Sequence, residues 1–166
     1  DWTIPPVTTG MPKSKTQYKN EGESIDWVLT YKEDGSLDTF TRYTYEPGSK
    51  DIIQYSLTYD VEGLSGTQAI NVTEADTTRF LSKAIFRDGG ERVGYVLSLD
   101  GINVKDVSVY YYYEDSSNDL DYIHRFEKEG DMDDYNKDGD FKEAGAVLSS
   151  KVVYWDDERD YSLVTD

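Results

Sequence analysis

From about residue 25 onward the chain alternates apolar and polar side chains with a period of two. Ile25, Trp27, Leu29 and Tyr31 fall on one side of an extended segment, with Asp26, Thr30 and Lys32 on the other. The same alternation picks out Ile53, Tyr55, Leu57 and Tyr59, then Val93, Tyr95, Leu97 and Leu99, then Val107, Val109, Tyr111 and Tyr113. Leu120, Tyr122, His124 and Phe126 repeat it, and Val152 and Tyr154 continue it near the end. Successive side chains of a strand point to opposite faces, so this pattern predicts half-buried strands. The β-branched and aromatic residues that fill it favour strand over helix. Thr73 to Ala84 admits two readings. Thr73 as an N-cap with Asp76 three residues on suggests a short helix, whereas the alternation from Phe80 to Phe86 predicts a strand, which is the preferred reading.

Turn signals divide these segments at regular intervals. Seven of the thirteen glycines follow an acid, at Glu21-Gly22, Asp34-Gly35, Glu62-Gly63, Asp88-Gly89, Asp100-Gly101, Glu129-Gly130 and Asp138-Gly139. Asp-Gly favours a two-residue hairpin turn of type I′, in which both central residues take positive φ. Successive glycines of these pairs lie 13, 28, 26, 12, 29 and 9 residues apart, close to one or two units of a common spacing. Pro47-Gly48, Glu74 to Asp76 and Asp115 to Asn118 supply the intermediate turns. The chain is therefore expected to be all-β, an antiparallel meander of about ten strands forming an open curved sheet or a partly closed barrel. Residues 1–20 carry Pro5, Pro6 and Pro12 and little apolar periodicity, which predicts an extended lead-in, either a tether or an arm packed on the domain. Residues 21–166 are expected to be one domain.

Several of the turns share a finer signature, an aromatic residue followed by acid-Gly. Tyr31 opens YKEDGSL, Tyr59 opens YDVEGLS, Phe126 opens FEKEGDM and Tyr135 opens YNKDGDF. The stretch YSLTYDVEG, residues 55–63, has two tyrosines at alternating positions before the acid and glycine. These segments resemble the YD-repeat, or Rhs-type repeat, and the YD-like domains of envelope lipoproteins from gut Bacteroidetes. The resemblance spans Ile25 to Tyr161 and is degenerate, with Ser36, Leu64, Asp131 and Asp140 where a basic residue usually follows the glycine. It implies a hairpin scaffold in a cell-envelope or secreted setting, with a lipid anchor upstream, and it carries over no catalytic residue.

Charge narrows the partners. A formal net charge of −17 sets up a field that repels phosphate backbones and anionic lipid, so nucleic acid is not an expected partner. Cysteine is absent, which removes disulfides, thiol nucleophiles and cysteine-based metal sites. No apolar run approaches the roughly eighteen residues of a transmembrane helix, and no basic-then-apolar leader opens the chain. Asp1 in place of an initiator methionine is what a processed protein or a trimmed piece would show.

Two groups of residues are candidates for a site. Asp134, Asn136, Asp138 and Asp140, with Gly139 and Phe141, match the first part of an EF-hand-type calcium loop. The position that usually supplies the closing acid is Gly145, and the same turn recurs at Tyr31 to Gly35 without an oxygen cluster, which favours a plain hairpin turn. The fifteen tyrosines and three tryptophans include Tyr110 to Tyr113, which puts rings on both faces of one strand. Tyr110, Tyr112 and Trp155 are the candidate ligand-binding rings, since such side chains offer stiff, amphipathic contact area; cross-strand packing is the plainer use of them. His124 is the only histidine, and no GxSxG elbow or phosphate-binding glycine loop accompanies it. The sequence thus points to a non-enzymatic binding or scaffold module of the cell envelope, with a glycan or protein partner. The alternative is a carrier of a small apolar ligand inside a closed barrel.

Overall fold

The computed structural model describes residues 12–113, 120–131, 147–154 and 161–164, those from 127 onward as backbone only. Eight strands form one antiparallel meander in chain order: β1 (Ser14–Lys19), β2 (Ser24–Tyr31), β3 (Leu37–Tyr45), β4 (Ile53–Asp60), β5 (Phe80–Arg87), β6 (Arg92–Asp100), β7 (Asn103–Tyr112) and β8 (Leu120–Asp131). Beyond β8 the backbone of β9 (Val147–Tyr154) pairs with β8, and that of β10 (Tyr161–Val164) pairs with β9. Among the described residues β1 pairs with β2 alone, so the sheet is open and no barrel closes. The first strand lies inside the stretch expected as lead-in; SKTQYK has no apolar face, and as an edge strand it is held by its ladder with β2.

The alternation in the sequence becomes rows of side chains running across the strands. One row passes through Leu29, Phe40, Tyr59 and Phe80, which are neighbours in register on β2, β3, β4 and β5. Trp27 and Phe40, Phe40 and Tyr59, and Tyr59 and Phe80 bring their ring centroids to 5.8, 6.2 and 5.3 Å. The next row passes through Leu57, Lys83, Leu97, Val107 and Phe126. On the opposite face the corresponding positions are small and polar: Thr41, Thr58, Ser82, Ser98 and Asp106. One face of the sheet therefore carries the core.

The core is roofed by the connection between β4 and β5, which was expected to be a hairpin at Glu62-Gly63. Gly63 does turn the chain, with φ of 76° and a Leu64 amide donating to the Val61 carbonyl at 3.1 Å, but the turn leads into a helix. Helix α1 (Gly66–Ile70) is started by a capping box: the Ser65 hydroxyl accepts from the Gln68 amide, and the Gln68 side chain accepts from the Ser65 amide at 2.9 Å. Val61, Ala69 and Val72 are buried against the sheet in the same cluster as Phe40 and Tyr59. Arg42 donates to the Ile70 carbonyl and Arg79 to the Asp60 carbonyl, each at 3.1 Å, fastening the connection to the strands. The helix suggested at Thr73 does not form. The Asp76 carboxylate does accept from the Thr73 amide at 2.8 Å, but only one 3-10 turn, Thr77–Arg79, precedes the strand at Phe80.

The acid-Gly pairs serve several turn geometries rather than one. Both residues are left-handed at Glu21-Gly22 (60° and 96°) and at Asp88-Gly89 (54° and 73°), as type I′ chemistry needs. Asp34 has no positive φ: the Gly35 amide donates to the Lys32 carbonyl at 3.0 Å, and only Gly35, at 82°, is left-handed. A longer loop places the acid in ordinary turn conformation and leaves the glycine to reverse the chain. Glu129-Gly130 is not a turn, since Gly130 pairs with Val104 within β8. Asp138-Gly139 and Asp115 to Asn118 lie outside the described residues.

Candidate functional site

Strand β7 divides its tyrosines between the two faces. Its alternation is regular from Asp106 to Tyr112, so Tyr111 stands with Val107 and Val109 on the core face while Tyr110 and Tyr112 stand with Ser108 on the other. The two rings singled out in sequence are thus on the polar face, and one is already engaged. The guanidinium groups of Arg87 and Arg92, paired across β5 and β6, lie 5.3 and 5.1 Å from the centre of the Tyr112 ring. Arg87 also donates to the Tyr110 carbonyl at 3.0 Å. Asp88 sits within 3.7 Å of both arginines. This cluster ties the β5–β6 hairpin to β7. Trp155, the third candidate ring, lies outside the described residues, as do Asp134, Asn136, Asp138 and Asp140.

The core face of β7 and β8 carries a continuous row of rings that neither strand forms alone. Tyr111 is paired with Tyr122, and their rings stack at 4.4 Å with planes 21° apart. His124 follows at 4.8 Å from Tyr122 and 5.2 Å from Tyr111, and Phe126 lies edge-on to His124 at 6.0 Å. All four are half-buried. Partial burial, the neighbouring Tyr111 hydroxyl and the Asp121 carboxylate push the Tyr122 phenol above its ordinary range, so it remains a neutral donor at physiological pH. The row lies beyond the fully buried core at Leu97 and Val107 and extends the same face. Tyr122, His124 and Phe126 were legible as one strand face, but their meeting with Tyr111 depends on the β7–β8 register.

Deeper in the sheet, Tyr59 is fully buried and its hydroxyl has no hydrogen-bond partner. Burial, with the nearby Glu74 carboxylate, pushes this phenol up to about 12. The Tyr55 hydroxyl donates to Glu74 at 2.7 Å, under the connection that roofs the core. An open notch of about 350 Å³ lies between Thr77–Thr78 and the β6–β7 turn at Gly101 and Ile102. Among the described residues no three of the histidine and acidic side chains come together as metal ligands, and no helix is long and apolar enough to cross a membrane.

No protein-family model matches the chain, and no curated protein matches it. The likeness to YD-repeats accordingly rests on the residues quoted above.

Proposed function

We propose that this chain is a non-enzymatic binding or scaffold module of the bacterial cell envelope, engaging a glycan or protein partner through aromatic side chains presented on a stiff sheet. The observation that carries the reading is the ring row Tyr111, Tyr122, His124 and Phe126. Antiparallel pairing fixes its rings at ladder spacing, so little side-chain entropy is lost when a flat partner stacks on them. The phenol and imidazole edges supply polar groups beside the apolar ring faces. In this reading the meander is built of YD-like hairpins, has about ten strands in all, and follows an upstream lipid anchor. The carrier alternative requires a closed barrel, and the sheet is open.

Screening the purified chain on glycan and envelope-protein arrays tests the proposal. A partner is expected whose affinity falls about tenfold in Tyr122→Ala, with circular dichroism unchanged. Turnover of a defined substrate without stable binding would overturn it.

A further inference from the structure

The open edge of the sheet is chemically unlike the rest of the molecule. Lys13, Lys15 and Lys19 fall within seven residues that contain no acid, in a chain of net charge −17. β1 from Ser14 to Tyr18 is exposed and, among the described residues, has β2 as its only neighbour. The Lys13 carbonyl accepts from the Tyr31 amide at 3.0 Å, so Lys13 and, by alternation in the register, Lys15 turn their peptide groups inward. Ser14 and Thr16 therefore direct theirs outward, away from β2. The lysine side chains stand on the face of Trp27, with the Lys15 ammonium 5.7 Å from the centre of that ring. Among the described residues Lys13 and Lys15 have no ion-pair partner, whereas Lys19 lies 3.7 Å from Asp26. The open stretch is short. The ladder shifts register at Gln17/Tyr18, where Asp26 of β2 is extra, and the Gln17 side chain donates to the Tyr18 carbonyl at 2.8 Å.

We infer that Lys13 to Thr16 is a docking edge for an extended acidic peptide segment, which adds to the sheet beside β1. The outward amides and carbonyls of Ser14 and Thr16 supply the ladder. Acids at alternate positions of the guest would face Lys13 and Lys15, because residues directly opposite on one face of a sheet are neighbours. Long-range attraction to this small basic patch in an otherwise anionic molecule selects acidic guests and orients them. The inference is independent of the ring row on β7 and β8.

The test is a titration of the isotopically labelled full chain with a seven-residue peptide of alternating glutamate and valine. A glutamine-for-glutamate copy and a copy N-methylated at alternate amides serve as controls. Amide shifts are expected in residues 13–17 and their partners on β2, with an affinity roughly tenfold above that of the glutamine copy and no binding by the N-methylated one. Lys13→Glu with Lys15→Glu should abolish binding. Thr16→Pro should do so too: it leaves the charge unchanged and removes an amide that makes no bond to β2, so dispersed spectra will show that the fold persists. Equal binding of the acidic and neutral peptides, retained binding to Thr16→Pro or by the N-methylated copy, or shifts elsewhere on the sheet would each overturn the inference. Absence of any binding would also overturn it, and would leave the lysines the role of keeping an open edge from pairing with other chains.

Discussion

Tyr59 is the residue at which the chain bears the clearest local cost. Its ring completes the row from Leu29 to Phe80, but the hydroxyl is buried without a partner. Removing an unsatisfied buried hydroxyl relieves its desolvation penalty, so Tyr59→Phe is expected to stabilise the fold by about 1 kcal/mol, read from urea denaturation. The same group makes stability depend on alkaline pH. Its folded pKa, up to about 12, lies above the unfolded value, so between pH 10 and 12 the unfolded chain loses this proton first and stability falls as pH rises. The fall should be of order 1 kcal/mol per pH unit and shallower in Tyr59→Phe. Gly90 is a second exacting position. It has φ of 84°, and a Cβ there would run into the Ile53 amide nitrogen, whereas one at Gly63 would meet nothing. Gly90→Ala should therefore cost about 2 kcal/mol more than Gly63→Ala. Sequence reading placed a turn at Asp88 to Gly90, but the need for a bare Cα there arises from backbone packed against it from β4, which no local signal reports.

Among the elements, strands were legible wherever one face meets the core, because burial imposes the period. The rule fails where a strand bulges. Val104 and Val107 are both buried although three residues apart, because Lys105 is extra in β7, with Leu99 opposite Val104 and Ser98 opposite Asp106. Helix α1 is not legible from periodicity, since five residues are too short to show a helical period. Its signal was the Ser65 to Gln68 spacing, whereas the similar pair Thr73 and Asp76 closes a turn with no helix behind it. A capping box that starts so short a helix is a large part of what holds it. Ser65→Ala should lower stability by about 1 kcal/mol and speed amide exchange in residues 65–72 while leaving β6 and β7 protected. For the site, Tyr110 and Tyr112 are legible as rings of one strand, of which Tyr112 lies against Arg87 and Arg92, whereas the row with Tyr111 is not, because it needs two strands in register.

For the molecule as a whole, a net charge of −17 should make salt stabilising, because screening weakens self-repulsion. Melting curves in EDTA, calcium, magnesium and matched sodium chloride separate this from specific binding at Asp134 to Asp140. Calcium is expected to act like magnesium, and a calcium-only gain of about 2.7 kcal/mol at a hundredfold excess over Kd, lost in Asp138→Ala, would instead mark a bound ion. The meander is legible because regular turn spacing leaves no room for crossovers, apart from the roof between β4 and β5, whereas the choice between an open sheet and a partly closed barrel is not, since no local signal says whether the first strand finds a second neighbour. Its strand order has a consequence for how the chain acquires structure. Among the described residues each of β1 to β8 pairs only with its neighbours in sequence, so every closure within that run but the one between β4 and β5 spans a short loop. Such a chain can zip one hairpin at a time in the order of synthesis, and lose its terminal strands singly, without a global nucleus joining distant segments.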